Sequence, residues 1–226
     1  MDEDFWELAD VRQSSRARKP SIKYSKGSFT VVIPENMNLA PGEFVEQNKD
    51  WVKEKIPGAE KYQSKIPERS FKHGAELIVL GKTRELIVEK RRSCKVTGEK
   101  ILVAEHLAER TSVKDRVEKA LRDYAENVFT EKAEKFSGKI DGDFSSVFVK
   151  DQKTRWGSCS GKNNLNFNWR LILGPEHVVD YVVVHELVHL EIRNHSKRFW
   201  NRVEEILPHY RDSKNWLDEN SALLEF

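Results

Sequence analysis

Cysteine and methionine are nearly absent, with two of each in 226 residues. Cys94 and Cys159 lie far apart and form no C-x-x-C, which excludes a disulfide framework and a cysteine-ligated zinc site and leaves two free thiols. Cys159, inside Trp156-Gly157-Ser158-Cys159-Ser160, reads as a small packed residue near a tight turn. Long apolar runs are missing too. None approaches the roughly 20 residues of a membrane span, and the start, MDEDFWELAD, is acidic where a signal peptide needs a basic head and an apolar stretch. The expected address is cytoplasmic, away from membranes. Charge of one sign is also lacking: 39 Lys and Arg stand against 37 Asp and Glu, so no global field for nucleic acid is implied and only local patches remain.

What is present is histidine in one place. Five of the seven, His177, His185, His189, His195 and His209, fall within one C-terminal stretch. His185, Glu186 and His189 spell His-Glu-x-x-His inside an apolar helical segment, and His195 follows six residues on. Residues four apart on a helix stand about 6 Å apart along its axis, so both imidazoles can reach one metal. Imidazole suits Zn2+, and three protein ligands with one open position is the catalytic rather than the structural arrangement. Glu186 points beside such a metal, where its carboxylate can take a proton from water that the metal acidifies.

The third ligand is read as His195, placed in an elbow between two helices. Arg193 suits the end of the first helix, Asn194 tolerates a left-handed terminus, and Ser196 can cap the second. Glu204 or Glu205 is the alternative ligand. The histidine spacing equals that of metzincins, but Ile192 stands at their glycine position and no methionine follows Met37, which excludes a Met-turn. Arg155, His209 and Tyr210 are candidates for stabilising the transition state, and Tyr181, four residues before His185, reads as packing against the site.

Along the chain, residues 1–20 read as a flexible tail: an acidic start, then Arg12, Arg16, Arg18 and Lys19. Residues 21–110 read as a β-rich region with one short helix. It contains a hairpin from Ile22 to Ile33, a helix from Pro41 to Pro57, a connector to Ser70, and an antiparallel meander through Leu77–Leu80, Leu86–Val88 and Val96–Val103. Residues 111–226 carry the motifs. A long helix starts at Ser112, whose Asp115 partner suggests a capping box, and runs to Gly138. A hairpin over Val147–Ile172 turns at Gly161-Lys162-Asn163 and brings Leu165–Ile172 back on the strand of Arg155 and Trp156. The motif helix begins after Gly174-Pro175, and another ends at Pro208.

The run Thr154 to Ser160, then Leu165 to Ile172, then Asp180 to His189, then Asn194-His195-Ser196 with Phe199-Trp200, resembles the YgjP-like metallopeptidase family. The resemblance implies an α+β fold in which a zincin-like catalytic domain, helices on a small mixed or antiparallel sheet, occupies 111–226 behind the β-rich region. It implies zinc held by His185, His189 and His195 with Glu186 as general base, and a protein or peptide substrate. It also looks related to SprT-like and Wss1-like proteases, which cut proteins attached to DNA. Two alternatives stand beside a metallopeptidase. Zinc and a base also suit a nucleotide phosphoanhydride, for which Lys150, Lys153 and Arg155 supply cations, and the basic stretches Arg12–Lys26 and Lys90-Arg91-Arg92 suit DNA.

Overall fold

A computed structural model describes residues 3–105, 111–152 and 154–226. The chain divides into two compact units, Met1–Pro67 and Glu68–Phe226. The expected boundary at 110 is therefore displaced. The strands before it send Leu77, Val79, Leu86, Ile101 and Val103 into the same core as the long helix that follows, so they belong with that helix.

The first unit contains α1 (Glu3–Glu7), β1 (Ala9–Ser14), β2 (Ser21–Ser25), β3 (Ser28–Pro34), α2 (Pro41–Gln47) and α3 (Lys49–Gln63). The β2–β3 hairpin is where alternation placed it. Lys26 and Gly27 take φ of 50° and 67° at its turn, the geometry that matches the twist of paired strands. The expected flexible tail is instead structured. Phe5 is fully buried and β1 pairs in parallel with β3, Ala9 opposite Phe29. Backbone pairing tolerates charged side chains on an edge strand, which composition alone does not show. Nor does the helix stop at Pro57: α3 runs through it to Gln63, because Val52 and Ala59, two turns apart, both bury in the unit's core.

The second unit contains β4 (Glu76–Val79), β5 (Lys82–Glu89), β6 (Lys95–Val96), β7 (Lys100–Ala104), α4 (Val113–Ser137), β8 (Ser146–Lys150), β9 (Gly157–Cys159), β10 (Asn164–Asn168), α5 (Glu176–Val188), α6 (Lys197–Ile206) and α7 (Tyr210–Asn220). Its sheets run β4-β5-β7-β6 and β8-β10-β9. The first is not the expected meander, since β5 and β7 pair in parallel. In the second, β9 and β10 form the expected hairpin, but β8 joins β10 in parallel, β9 starts at Gly157, after Arg155 and Trp156, and β10 ends at Asn168. A 3-10 turn takes over from Trp169 to Leu173, with the buried Asn168 accepting from the Arg170 N–H at 3.1 Å.

The capping box at Ser112 is formed: Asp115 N–H donates to Ser112 Oγ and Ser112 N–H to Asp115 Oδ2, both at 3.1 Å. Helix α4 packs on both sheets and on α5. Lys132, 7% exposed, reaches from α4 to Glu176 at 2.8 Å and Asp180 at 2.5 Å on α5. Helix α5 is apolar on nearly every side, and Val178, Val179, Val183, Val184 and Leu187 have no exposed surface. A helix buried all round offers few places for a polar side chain, so His185 and Glu186 are exceptions that need a reason. Among the described residues no helix is long and apolar enough to cross a membrane.

Candidate metal centre

Helix α5 ends at Val188 with His189 as its C-cap, and the chain after it tightens as Leu190, Glu191 and Ile192 N–H groups return to Leu187 and Val188 carbonyls. Two anchors then hold the loop. Arg193 donates to Ser160 O at 3.0 Å and to Asn163 Oδ1 at 2.6 Å, fastening it to the β9–β10 turn. Glu191 accepts from Arg202 on α6 at 3.1 Å and from the Asp141 N–H at 2.8 Å. His195 thus swings back toward α5, as its spacing predicts. The local means differ from expectation. Asn194 is not left-handed but accepts from Ser196 N–H at 3.2 Å, and Ser196 occupies the N-cap of α6 without a side-chain bond.

One ring nitrogen each from His185, His189 and His195 lie within 4.8 Å of one another. His185 Nε2 and His195 Nε2 face each other at 3.0 Å, while His189 Nδ1 is 3.0 Å from Ile192 O. A proton donated from that Nδ1 leaves the His189 Nε2 lone pair for a cation. Bonds of about 2.0–2.1 Å in tetrahedral geometry put two nitrogens about 3.4 Å apart, so the three imidazoles fit a small divalent ion. Glu204 and Glu205, the alternative ligands, pair instead with Arg211 and Arg202, each at 3.0 Å.

Phe199, without exposed surface, meets all three imidazoles at ring separations of 4.6 to 4.9 Å. Trp200 stacks on His195 at 5.8 Å, Tyr210 on Trp200 at 5.6 Å, and Tyr181 on Tyr210 at 6.2 Å. In the sequence Phe199 and Trp200 stand out only among the residues that carry the family resemblance; that they prop the histidines is visible only in three dimensions.

Glu186 lies against β9. A Cβ on Gly157 would come within 2.6 Å of its Oε1 and 2.7 Å of its Cγ, so only glycine leaves room for the carboxylate there. The role of Gly157 was not legible beyond a glycine in a turn-like segment. Burial pushes the Glu186 carboxyl up to about 8, although the Cys159 backbone N–H and the charge of Arg155 pull it down. Burial pushes His185 down to about 3, helped by the neighbouring His189 and His195, and burial also lowers His189. His185 Nδ1 is buried and meets no partner among the described residues.

The triad opens on a cleft of about 270 Å3 bordered by Gly157, Ser158, Cys159 and Arg193. Beside it lies a second, of about 240 Å3, that shares His185, Glu186 and Gly157. Of the expected transition-state groups, Arg155 is exposed and close enough for its charge to act on Glu186, Tyr210 is buried in the aromatic stack, and exposed His209 lines neither cleft. Lys150 sits over the Phe148 ring and Lys153 lies outside the described residues.

A family model described as YgjP-like, metallopeptidase domain, matches residues 18–220. No curated protein matches the chain. Among solved structures, the metallopeptidase zymogen of Methanocaldococcus jannaschii jannalysin is similar at 19% identity and a TM-score of 0.36, over 43% of this chain and 96% of that one. The metallopeptidase zymogen of Pyrococcus abyssi abylysin is similar at 26% identity and a TM-score of 0.34, over 42% of this chain and 90% of that one.

Proposed function

The chain belongs to the YgjP-like metallopeptidase family, and from that premise we propose that it hydrolyses peptide bonds with zinc held by His185, His189 and His195 and with Glu186 as general base. The convergence of three imidazole nitrogens within 4.8 Å, next to a buried carboxylate, carries this reading. Zinc held by His185, His189 and His195 would supply a Lewis acid that acidifies water. Glu186 takes a proton from the attacking water and passes it to the leaving nitrogen. Positive charge at the triad favours the ionised carboxylate that this step requires. Gly157 keeps Glu186 in place, and Arg155 contributes positive charge from the open side.

Strand β9 is the outer strand of its sheet and borders the cleft, which supports pairing with the main chain of an extended substrate. A phosphoanhydride substrate is less well served. The cations lining the two clefts are Arg193 and Lys214, and each is already engaged, Arg193 by the β9–β10 turn and Lys214 by Asp218 at 2.6 Å.

The test combines metal analysis with hydrolysis. The purified chain is expected to carry about one zinc, to lose peptide hydrolysis on chelation and to regain it with zinc. Glu186→Gln is expected to keep the metal and lose hydrolysis by roughly 10²- to 10⁴-fold. A metal-loaded Glu186→Gln variant that cuts peptides at the wild-type rate sinks the mechanism.

A further inference from the structure

The cleft of about 240 Å3 next to Glu186 is unlike the one over the histidines. Trp156, Val182 and Leu217 give it apolar walls, and Tyr181 lies between them. Tyr181 is only 5% exposed and forms ring contacts with His185 and Tyr210, but its hydroxyl makes no hydrogen bond among the described residues. The residue lines the cleft, so its hydroxyl can meet a polar group of a ligand there. Lys214 and Asp218, paired with each other one turn apart on α7, offset each other's charge, so the cleft presents no unpaired cation.

We propose that this cleft is a side-chain subsite that takes an aromatic or long apolar residue of a polypeptide next to the bond being cut. The size decides against a larger ligand: sites for whole small molecules run to about 300–1,000 Å3, whereas this volume suits one bulky side chain. Its position decides which molecule the side chain belongs to. Glu186, His185 and Gly157 line this cleft and the metal-facing one alike, so a residue seated here is flanked by the groups that meet the scissile bond. Largely apolar walls select against a charged side chain, and the Tyr181 hydroxyl offers one donor to a polar tip such as a phenol or thioether. The proposal rests on the metallopeptidase reading for the identity of its ligand.

Cleavage of a peptide library varied on both sides of the bond tests it. The kcat/KM ratio of Phe over Gly at one flanking position is expected to be at least about 10, the preference that burying an aromatic ring confers. Leu217→Trp, which fills the cleft, is expected to bring that ratio close to 1. Lys214→Glu leaves two acids at the edge and is expected to raise cleavage with Lys or Arg at the same position several-fold relative to Phe; being at the surface, it serves if Leu217→Trp does not fold. A flat preference at every position, or a ratio that neither variant moves, overturns the subsite and leaves the metallopeptidase reading standing.

If no peptide is cut, the metallopeptidase reading fails, and binding decides the subsite. Tryptophan fluorescence of Glu186→Gln is titrated with capped Gly-Phe-Gly and Gly-Gly-Gly tripeptides. Tighter binding of the first by about 10-fold, lost with Leu217→Trp, supports the subsite. Equal binding of the two overturns it.

Discussion

At the first turns of α5, Lys132 crosses from α4 to bond Glu176 and Asp180; at its last turns, His185 and Glu186 are buried without any comparable partner. The same helix thus carries two treatments of charge. Burial alone would lower the Lys132 ammonium, but the hydrogen bonds it donates to Asp180 and Glu176 outweigh it and raise it, while the bond from Lys132 holds Glu176 below the usual carboxylate range. Both shifts favour the charged forms. At the other end, burial dominates and both shifts favour the neutral forms, His185 downward and Glu186 upward. Paired charge holds the fold; buried ionisable groups held in their neutral forms store unfavourable free energy that a bound cation can release.

Glu186→Gln probes that contrast most strongly. It is expected to cost the full 10²- to 10⁴-fold in hydrolysis while raising the melting temperature of the metal-free chain at pH 8, because it removes a carboxyl that burial penalises once ionised. A lower melting temperature would mean that the carboxylate stabilises the fold after all, and the two ends of α5 would no longer differ. At the other end, Lys132→Met leaves Asp180 partly buried beside α4 without its cation. Roughly 2–3 kcal/mol of stability should be lost in denaturant unfolding, with zinc content per folded molecule unchanged. Zinc lost in proportion to stability would show that the two ends are coupled.

Gly157→Ala sharpens the comparison by moving Glu186 without changing its chemistry. The added Cβ displaces the carboxylate, and hydrolysis should fall roughly 10- to 100-fold with the metal retained. A wild-type rate would show that the position of Glu186 against β9 is irrelevant.

The smallest effect is in pH. Glu186 has its folded pKa raised from 4.5 to about 8, so its contribution to stability is complete below 4.5 and is lost as pH rises through 8. His185 has its folded value lowered from 6.5 to about 3, so it weakens the fold only below 6.5. Between pH 6.5 and 8 the metal-free chain should therefore lose about 2 kcal/mol, at roughly 1.4 kcal/mol per unit, and Glu186→Gln should not. Matching melting curves for the two proteins across that range would remove the claim that Glu186 is held out of its charged form.

The histidine cluster was legible because it depends on local periodicity. His185 and His189 share a face through helical spacing alone, and the short distance to His195 leaves room for little besides a turn. The capping box at Ser112 and the β2–β3 and β9–β10 hairpins were legible for the same reason, since their partners lie within a few residues. The parallel pairs β1–β3, β5–β7 and β8–β10 were not, because neither strand contains a local mark of a distant partner. The structured start of the chain was hidden likewise, as Phe5 gains its burial from Phe29 and the helices of its unit.

The order of residues by itself determined that two histidines and a glutamate would stand together on one helix with a third histidine close behind, since backbone geometry repeats identically wherever a helix forms. Only the tertiary structure decided that Gly157 makes room for Glu186, that Phe199 supports all three imidazoles, and that Trp156, Tyr181 and Leu217 enclose a cleft beside them. Those contacts join segments tens of residues apart, and burial, which displaces the pKa values, is a property of the packed molecule rather than of any stretch of it.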